Sequence, residues 1–182
     1  MPPLLETERL FLRPFTVDDY EAAYAALESD PDVWRYDPGY QRSYARRSLI
    51  IERYALLNDE GGCGVLAAVR KDNGQLIGYM GLQHYLLPQS PHSTAEVELF
   101  YKLGRAHWGH GFALEGCLRL LAFAFVELRL NRIVTVTHGE NGRSLCLLKR
   151  LGMRIEPAPS VWSNYVLGIR ENESGERETI GS

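Results

Sequence analysis

The sequence predicts an α/β fold, a single domain built on a mixed sheet, and three observations carry that expectation. Two apolar runs flank Asp72-Asn73-Gly74, a hairpin signature. Ala95 to Leu103 reads as a strand and leads through a glycine-bearing loop into a long, largely apolar helix. Arg132-Ile133-Val134-Thr135-Val136-Thr137 then reads as a further strand.

Composition agrees. The chain has 182 residues, 45% apolar and 24% charged, the balance of a soluble globular protein. One domain of this length buries roughly 70% of its unfolded surface. Twenty Lys and Arg against 23 Asp and Glu leave a net charge of -3, so no basic footprint for nucleic acid is present. The three cysteines, Cys63, Cys117 and Cys146, are odd in number and widely spaced, with no CxxC pair. They read as packing residues in a reducing compartment; neither a disulfide framework nor a metal site is expected.

Taken in order, Arg9-Leu10-Phe11-Leu12-Arg13 is a short strand stopped by Pro14, and Thr16 with Asp19 opens a helix through Tyr20, Ala23, Tyr24 and Leu27. Asp30-Pro31 ends it. A second helix is expected over about 42–57, with Ile50, Ile51, Tyr54 and Leu57 on one face. Val65 to Val69 and Gln75 to Leu82 form the hairpin, and a polar loop from Pro88 to Ser93 precedes the next strand, where Glu96 and Glu98 share a face. The long helix runs from Phe112 to about Leu128. Its neighbourhood to Leu130 is interrupted by Glu115, Arg119, Glu127 and Arg129, so it is a buried helix and not a membrane span. Asn141 to Leu151 is a short helix ended by Gly152, and Asn164 to Ile169 a last strand. No signal peptide is visible, and a cytoplasmic location is expected. Residues 1–170 form the domain and 171–182 a polar, mobile tail.

The chemistry concentrates in Trp108-Gly109-His110-Gly111-Phe112-Ala113, between a strand and a helix. Glycines let backbone approach a ligand, and a helix start offers unpaired N–H groups to an anion. The same residues also serve a plain tight turn. No Lys-Ser/Thr follows, which excludes a P-loop, and no ribose-binding acid stands at dinucleotide spacing.

Glu98-Leu99-Phe100-Tyr101, the run Trp108 to Glu115, Asn141 with Ser144, and Leu151-Gly152-Met153 together resemble the GNAT acetyltransferases. Glu8-Arg9-Leu10 and Leu12-Arg13-Pro14 are similar to the subgroup that acetylates ribosomal-protein N-termini. The resemblance implies a GNAT-type sheet, mixed but mostly antiparallel and flanked by helices. It implies acetyl-CoA held between the Glu98–Leu103 and Arg132–Thr137 strands, with Tyr101 and Leu103 meeting the pantetheine and the Trp108-Gly109-His110-Gly111-Phe112-Ala113 run the pyrophosphate. Asn141 and Ser144 would also touch it. A backbone N–H on the Glu98 strand would polarise the thioester.

Transfer to an amine needs a base, and Glu98 or Glu96 is the candidate; both also read as ion-paired strand carboxylates. The departing thiolate wants a hydrogen bond. Many family members use a tyrosine where this chain has Leu148, and Ser144 resembles the serine that the ribosomal subgroup uses instead; it also suits helix capping. Trp34, Tyr36 and Tyr40 occupy the region of the acceptor wall, and His84 borders it. The acceptor is expected to be a peptide N-terminus or a small cationic amine, in an opening made acidic by Glu96 and Glu98. A homodimer is left open, and no membrane or nucleic-acid partner is expected. The rival reading is a non-catalytic acyl-CoA-binding or regulatory module, which Leu148 favours.

Overall fold

A computed structural model describes residues 4–37, 43–46, 62–88, 93–159 and 163–173. Eight strands form one sheet: β1 (Leu5–Glu6), β2 (Leu10–Pro14), β3 (Gly64–Arg70), β4 (Leu76–Pro88), β5 (Ser93–Leu103), β6 (Arg132–His138), β7 (Arg154–Pro157) and β8 (Tyr165–Glu171). Their order is β1-β2-β3-β4-β5-β6-β8-β7, antiparallel throughout except where β5 meets β6. The expected mostly antiparallel α/β domain is the one found.

Three α-helices are described: α1 (Tyr20–Ala23), α2 (Phe112–Ala122) and α3 (Gly142–Arg150). The helix expected through Leu27 is broken into three pieces, a 3-10 turn at Val17–Asp19, α1, and a π segment at Tyr24–Glu28. Its start follows the capping chemistry. The Thr16 N–H donates to Asp19 at 2.8 Å, while Arg13 grips the same carboxylate at 2.8 and 2.7 Å. Burial alone would raise the Asp19 carboxyl; Arg13 and Thr16 outweigh it and hold the group below its usual value. The second expected helix lies outside the described residues, apart from a 3-10 turn at Tyr44–Arg46.

Strand β4 continues past Leu82 to Pro88, because β5 pairs with it along its whole length, Gly78↔Leu103 to Pro88↔Ser93. Two strands had no signal in the sequence. β1 is two residues long, and β7 offers one apolar residue, Ile155, and a proline at the sheet's edge. Strand β8 ends at Glu171, which pairs with Arg132, so the chain is tied down further than the expected boundary at 170. Asn172 then donates to the carbonyls of Phe125 and Leu130. The remainder of the expected tail, 174–182, is outside the described residues.

The core lies on both faces of the sheet. On one, Met80, Leu82 and Leu99 meet Cys117, Leu120 and Leu121 of α2. On the other, Val65, Ala67 and Tyr79 pack with Phe15, Leu27 and Trp34. β3 faces both cores, which is why its sequence is a nearly continuous apolar run. No described helix is long and apolar enough to cross a membrane.

Candidate active site

The site begins where the sheet divides. β5 and β6 pair in parallel at one register, Glu98↔Val134, and then separate. The Val136 peptide, on β6 just past that register, faces the Glu98 carboxylate and favours its charged form. Beyond that fork, Tyr101, Lys102 and Leu103 form one wall and Thr135, Val136 and Thr137 the other, of a cleft of about 1800 Å³.

Register decides which backbone groups face it. The Gly104 N–H donates to the Ile77 carbonyl at 2.9 Å, and hydrogen-bonded pairs alternate along an antiparallel ladder. Leu99, Tyr101 and Leu103 therefore turn their peptide groups away from β4, toward the cleft. One of these is already engaged: the Leu103 carbonyl accepts the Trp108 indole N–H at 2.7 Å. The N–H groups of Tyr101 and Leu103 are the donors that β5 offers to a ligand.

At the far end, Gly109 (φ 78°) and Gly111 (φ 83°) turn the chain into α2 with left-handed backbone that favours glycine. A Cβ at Gly109 would meet nothing within 4 Å, so the loop surrounds open space. The loop is held from behind. Arg9 donates through Nη1 to the His110 carbonyl at 2.9 Å, through Nε to Glu115 at 2.6 Å, and lies 4.5 Å from the Phe112 ring centre. The Thr7 hydroxyl and the Arg9 N–H also donate to Glu115, at 2.5 and 2.7 Å. Burial would raise that carboxyl, but these donors hold it below its ordinary value. Gly109, Gly111, Phe112 and Ala113 line the cleft; His110 does not. An anion with a long extended arm fits this arrangement: N–H groups at a helix start, then strand N–H groups along a cleft.

The two expected catalytic side chains stand on opposite faces of the sheet. Glu98 and Phe100 share the face of the Trp34 core, whereas Leu99 and Tyr101 share the α2 and α3 face. Glu98 accepts from Gln83 Nε2 at 2.6 Å, its cross-strand partner on β4. Burial raises the Glu98 carboxyl above its ordinary value; Gln83 and Val136 offset this in part, and the charge of Asp37 adds to it. Glu96 does not line the cleft. It is clasped by the Arg132 guanidinium on β6, so the acidic opening expected from two carboxylates reduces to one of them. Cations stand there too, among them Arg35, Arg46 and Lys102.

Ser144 lies on the first turn of α3, where its N–H donates to the Asn141 side chain at 3.2 Å. The cap is therefore supplied by Asn141, and the Ser144 hydroxyl takes no part in it. That hydroxyl is 2.6 Å from the Tyr101 hydroxyl, a contact no sequence spacing could disclose because 43 residues separate them. Leu148, fully buried, offers no proton. Trp34 is buried, its indole donating to the Leu27 carbonyl at 3.1 Å, which is packing. Tyr36 instead crosses the cleft: its hydroxyl donates to the Glu140 carbonyl and its own carbonyl accepts from the Tyr165 hydroxyl, both at 3.1 Å. On the β5 side Lys102 pairs with Asp37 at 2.9 Å, and Arg105 with Asp30 at 2.7 Å. Tyr40 is outside the described residues.

Comparison with known proteins follows this geometry. Residues 9–154 match the family model of the acetyltransferase (GNAT) domain. An uncharacterized N-acetyltransferase, YoaA, of Bacillus subtilis (strain 168) is 33% identical over 156 residues, 86% of this chain and 85% of the relative. Among solved structures, a GNAT-family acetyltransferase from Bacillus anthracis superposes with a TM-score of 0.77 at 21% identity, covering 94% of this chain and 99% of that one. A putative ribosomal-protein-serine acetyltransferase from Vibrio cholerae superposes at 0.72 with 19% identity, over 94% of this chain and 99% of that one.

Proposed function

Because the chain belongs to the GNAT acetyltransferases, we propose that it moves an acetyl group from acetyl-CoA to a primary amine by direct attack of the amine on the thioester. The observation that carries this reading is the fork at Glu98. There a buried carboxylate, two cleft-facing strand N–H groups and a serine hydroxyl converge on one opening.

When bound, acetyl-CoA supplies an electrophilic carbonyl and a thiolate leaving group. The Gly109–Ala113 amides at the start of α2 would hold its pyrophosphate, and the Tyr101 and Leu103 N–H groups its pantetheine and thioester oxygen. Glu98, on the opposite face, takes the proton of the incoming ammonium directly or through a water. Ser144 donates a hydrogen bond to the departing sulfur. Base and donor thus act from opposite sides of the sheet.

The likeness to ribosomal-protein N-terminal acetyltransferases rests on the opening Glu8-Arg9-Leu10 and Leu12-Arg13-Pro14 and on Ser144; the Vibrio cholerae protein shares the fold. A peptide N-terminus or a small cationic amine is the acceptor this reading favours. The test is release of free thiol from acetyl-CoA with a panel of amines. Amine-dependent release supports transfer. Binding of acetyl-CoA with no release across the panel would favour the non-catalytic acyl-CoA-binding module.

A further inference from the structure

Tyr101 has a chemical position that its place in a strand does not require. Its side chain leaves β5 toward α2 and α3, and its hydroxyl meets the Ser144 oxygen at 2.6 Å. Cys117, a fully buried residue of α2, lies near enough to act on the phenol electrostatically. Burial pushes its thiol up, so it stays neutral and is a feeble acceptor.

Two hydroxyls at this distance share one proton between them, and the surroundings decide which. If Ser144 donated, the phenol proton would face apolar packing and the weak thiol, and the serine would have nothing to give the cleft. If Tyr101 donates, the phenol is satisfied and the serine proton is free to turn outward. Burial also pushes the phenol up, so it holds its proton through the neutral range.

We propose that Tyr101 is a positioning residue whose hydroxyl donates to Ser144 Oγ and thereby aims the serine proton at the leaving sulfur. The proposal rests on the reading of Ser144 as the donor to that sulfur. In the step it serves, the amine nitrogen bonds to the acetyl carbon, and the carbon–sulfur bond breaks with its electron pair on sulfur. The amine's proton passes to Glu98 or water. Ser144 keeps its proton and shares it with the sulfur anion in a hydrogen bond, and solvent later protonates the thiolate. Tyr101 polarises that donor, since hydrogen bonds in a chain strengthen one another. A tyrosine reaching from β5 through a serine thus supplies what Leu148 on α3 cannot.

The test needs no turnover. Calorimetric affinities are measured for CoA and for desulfo-CoA, which lacks the sulfur, at about pH 9.5, where a thiol is ionised. Wild-type protein is expected to prefer CoA, because the serine donates to its thiolate. Tyr101→Phe should cut that preference about fivefold, with desulfo-CoA affinity unchanged and Tm lowered by only a few degrees, about the worth of one buried hydrogen bond. Ser144→Ala should cut it at least as far, and the double variant no further than Ser144→Ala alone. Ser144→Thr, which keeps a hydroxyl, should retain it. Placing 3-fluorotyrosine at 101 preserves the packing and sharpens the donor, so the preference should rise. A full preference in Tyr101→Phe beside a lost one in Ser144→Ala would overturn the positioning role and leave Ser144 as the donor. A full preference in Ser144→Ala as well would overturn both.

Discussion

Glu96 and Glu98 are two residues apart on one strand face, and identical in chemistry, yet the fold gives them different work. Arg132 neutralises Glu96 behind the fork, whereas Glu98 accepts from the Gln83 amide, feels the charge of Asp37 and faces the cleft. Glu98→Gln should therefore lower kcat/KM by about 10²-fold while leaving acetyl-CoA affinity near wild type. Glu96→Gln should leave kcat close to wild type. The pH dependence separates them again. A base must be ionised, and burial raises the Glu98 carboxyl, so the acid limb of kcat/KM should lie above the ordinary carboxylate range. Gln83 donates to the charged form. Gln83→Leu should move that limb to still higher pH, and a limb indifferent to Gln83 would mean that another group titrates.

At the scale of elements, the loop before α2 is the clearest case of shape supplied from elsewhere. Arg9, just before β2, ties the His110 carbonyl, Glu115 and the Phe112 ring into one unit behind the glycines. Arg9→Ala should raise the Kd for acetyl-CoA about tenfold with little change in the acceptor KM, since charge-assisted bonds of this kind are each worth roughly 1.5–3 kcal/mol. Titration calorimetry reads the first and initial rates the second. α2 also carries Gly116, where a Cβ would meet the Met80 sulfur at 2.2 Å. Gly116→Ala should cost about 1–3 kcal/mol by overpacking, seen as a fall in Tm. The glycine loop, the long helix and the Asn-Gly hairpin were all legible in the sequence, because each is fixed by local chemistry: positive φ, the 3.6-residue period, a tight turn. The pairing of Gln83 with Glu98 and of Tyr101 with Ser144 was not. The first depends on the register of β4 against β5 and the second on how α3 packs over β5, 43 residues away, and a one-residue slip of β5 would send either side chain to the other face. The broken first helix was missed for a related reason. Its capping pattern was visible, but the Asp19 carboxylate also answers to Arg13 across from β2.

For the molecule as a whole, the divided sheet sets the proposed cofactor groups and the proposed base on either side of one cleft. The α2 and α3 face carries the glycine loop and Ser144, the strand N–H groups point into the fork between β5 and β6, and the opposite face carries Glu98; Tyr36 bridges to Glu140 and Tyr165 across the cleft. Acetyl-CoA should stabilise the native state by about 2.7 kcal/mol at a hundred times its Kd. For a chain of this size that raises Tm by roughly 5–11 °C, at about 2–4 °C per kcal/mol. The same architecture predicts the kinetic order. Direct attack requires donor and acceptor to be present together, whereas a covalent route would need a nucleophile on the protein to hold the acetyl group in between. Cys146 is the cysteine among the described residues that lines the cleft, exposed on α3. Its thiol lies past the first turn of its helix, away from the N-terminal amides that activate a cysteine. Initial-rate plots with both substrates varied should therefore intersect, and Cys146→Ala should retain wild-type kcat. Parallel lines together with loss of activity in Cys146→Ala would instead place an acetyl-thioester on the protein and remove direct attack.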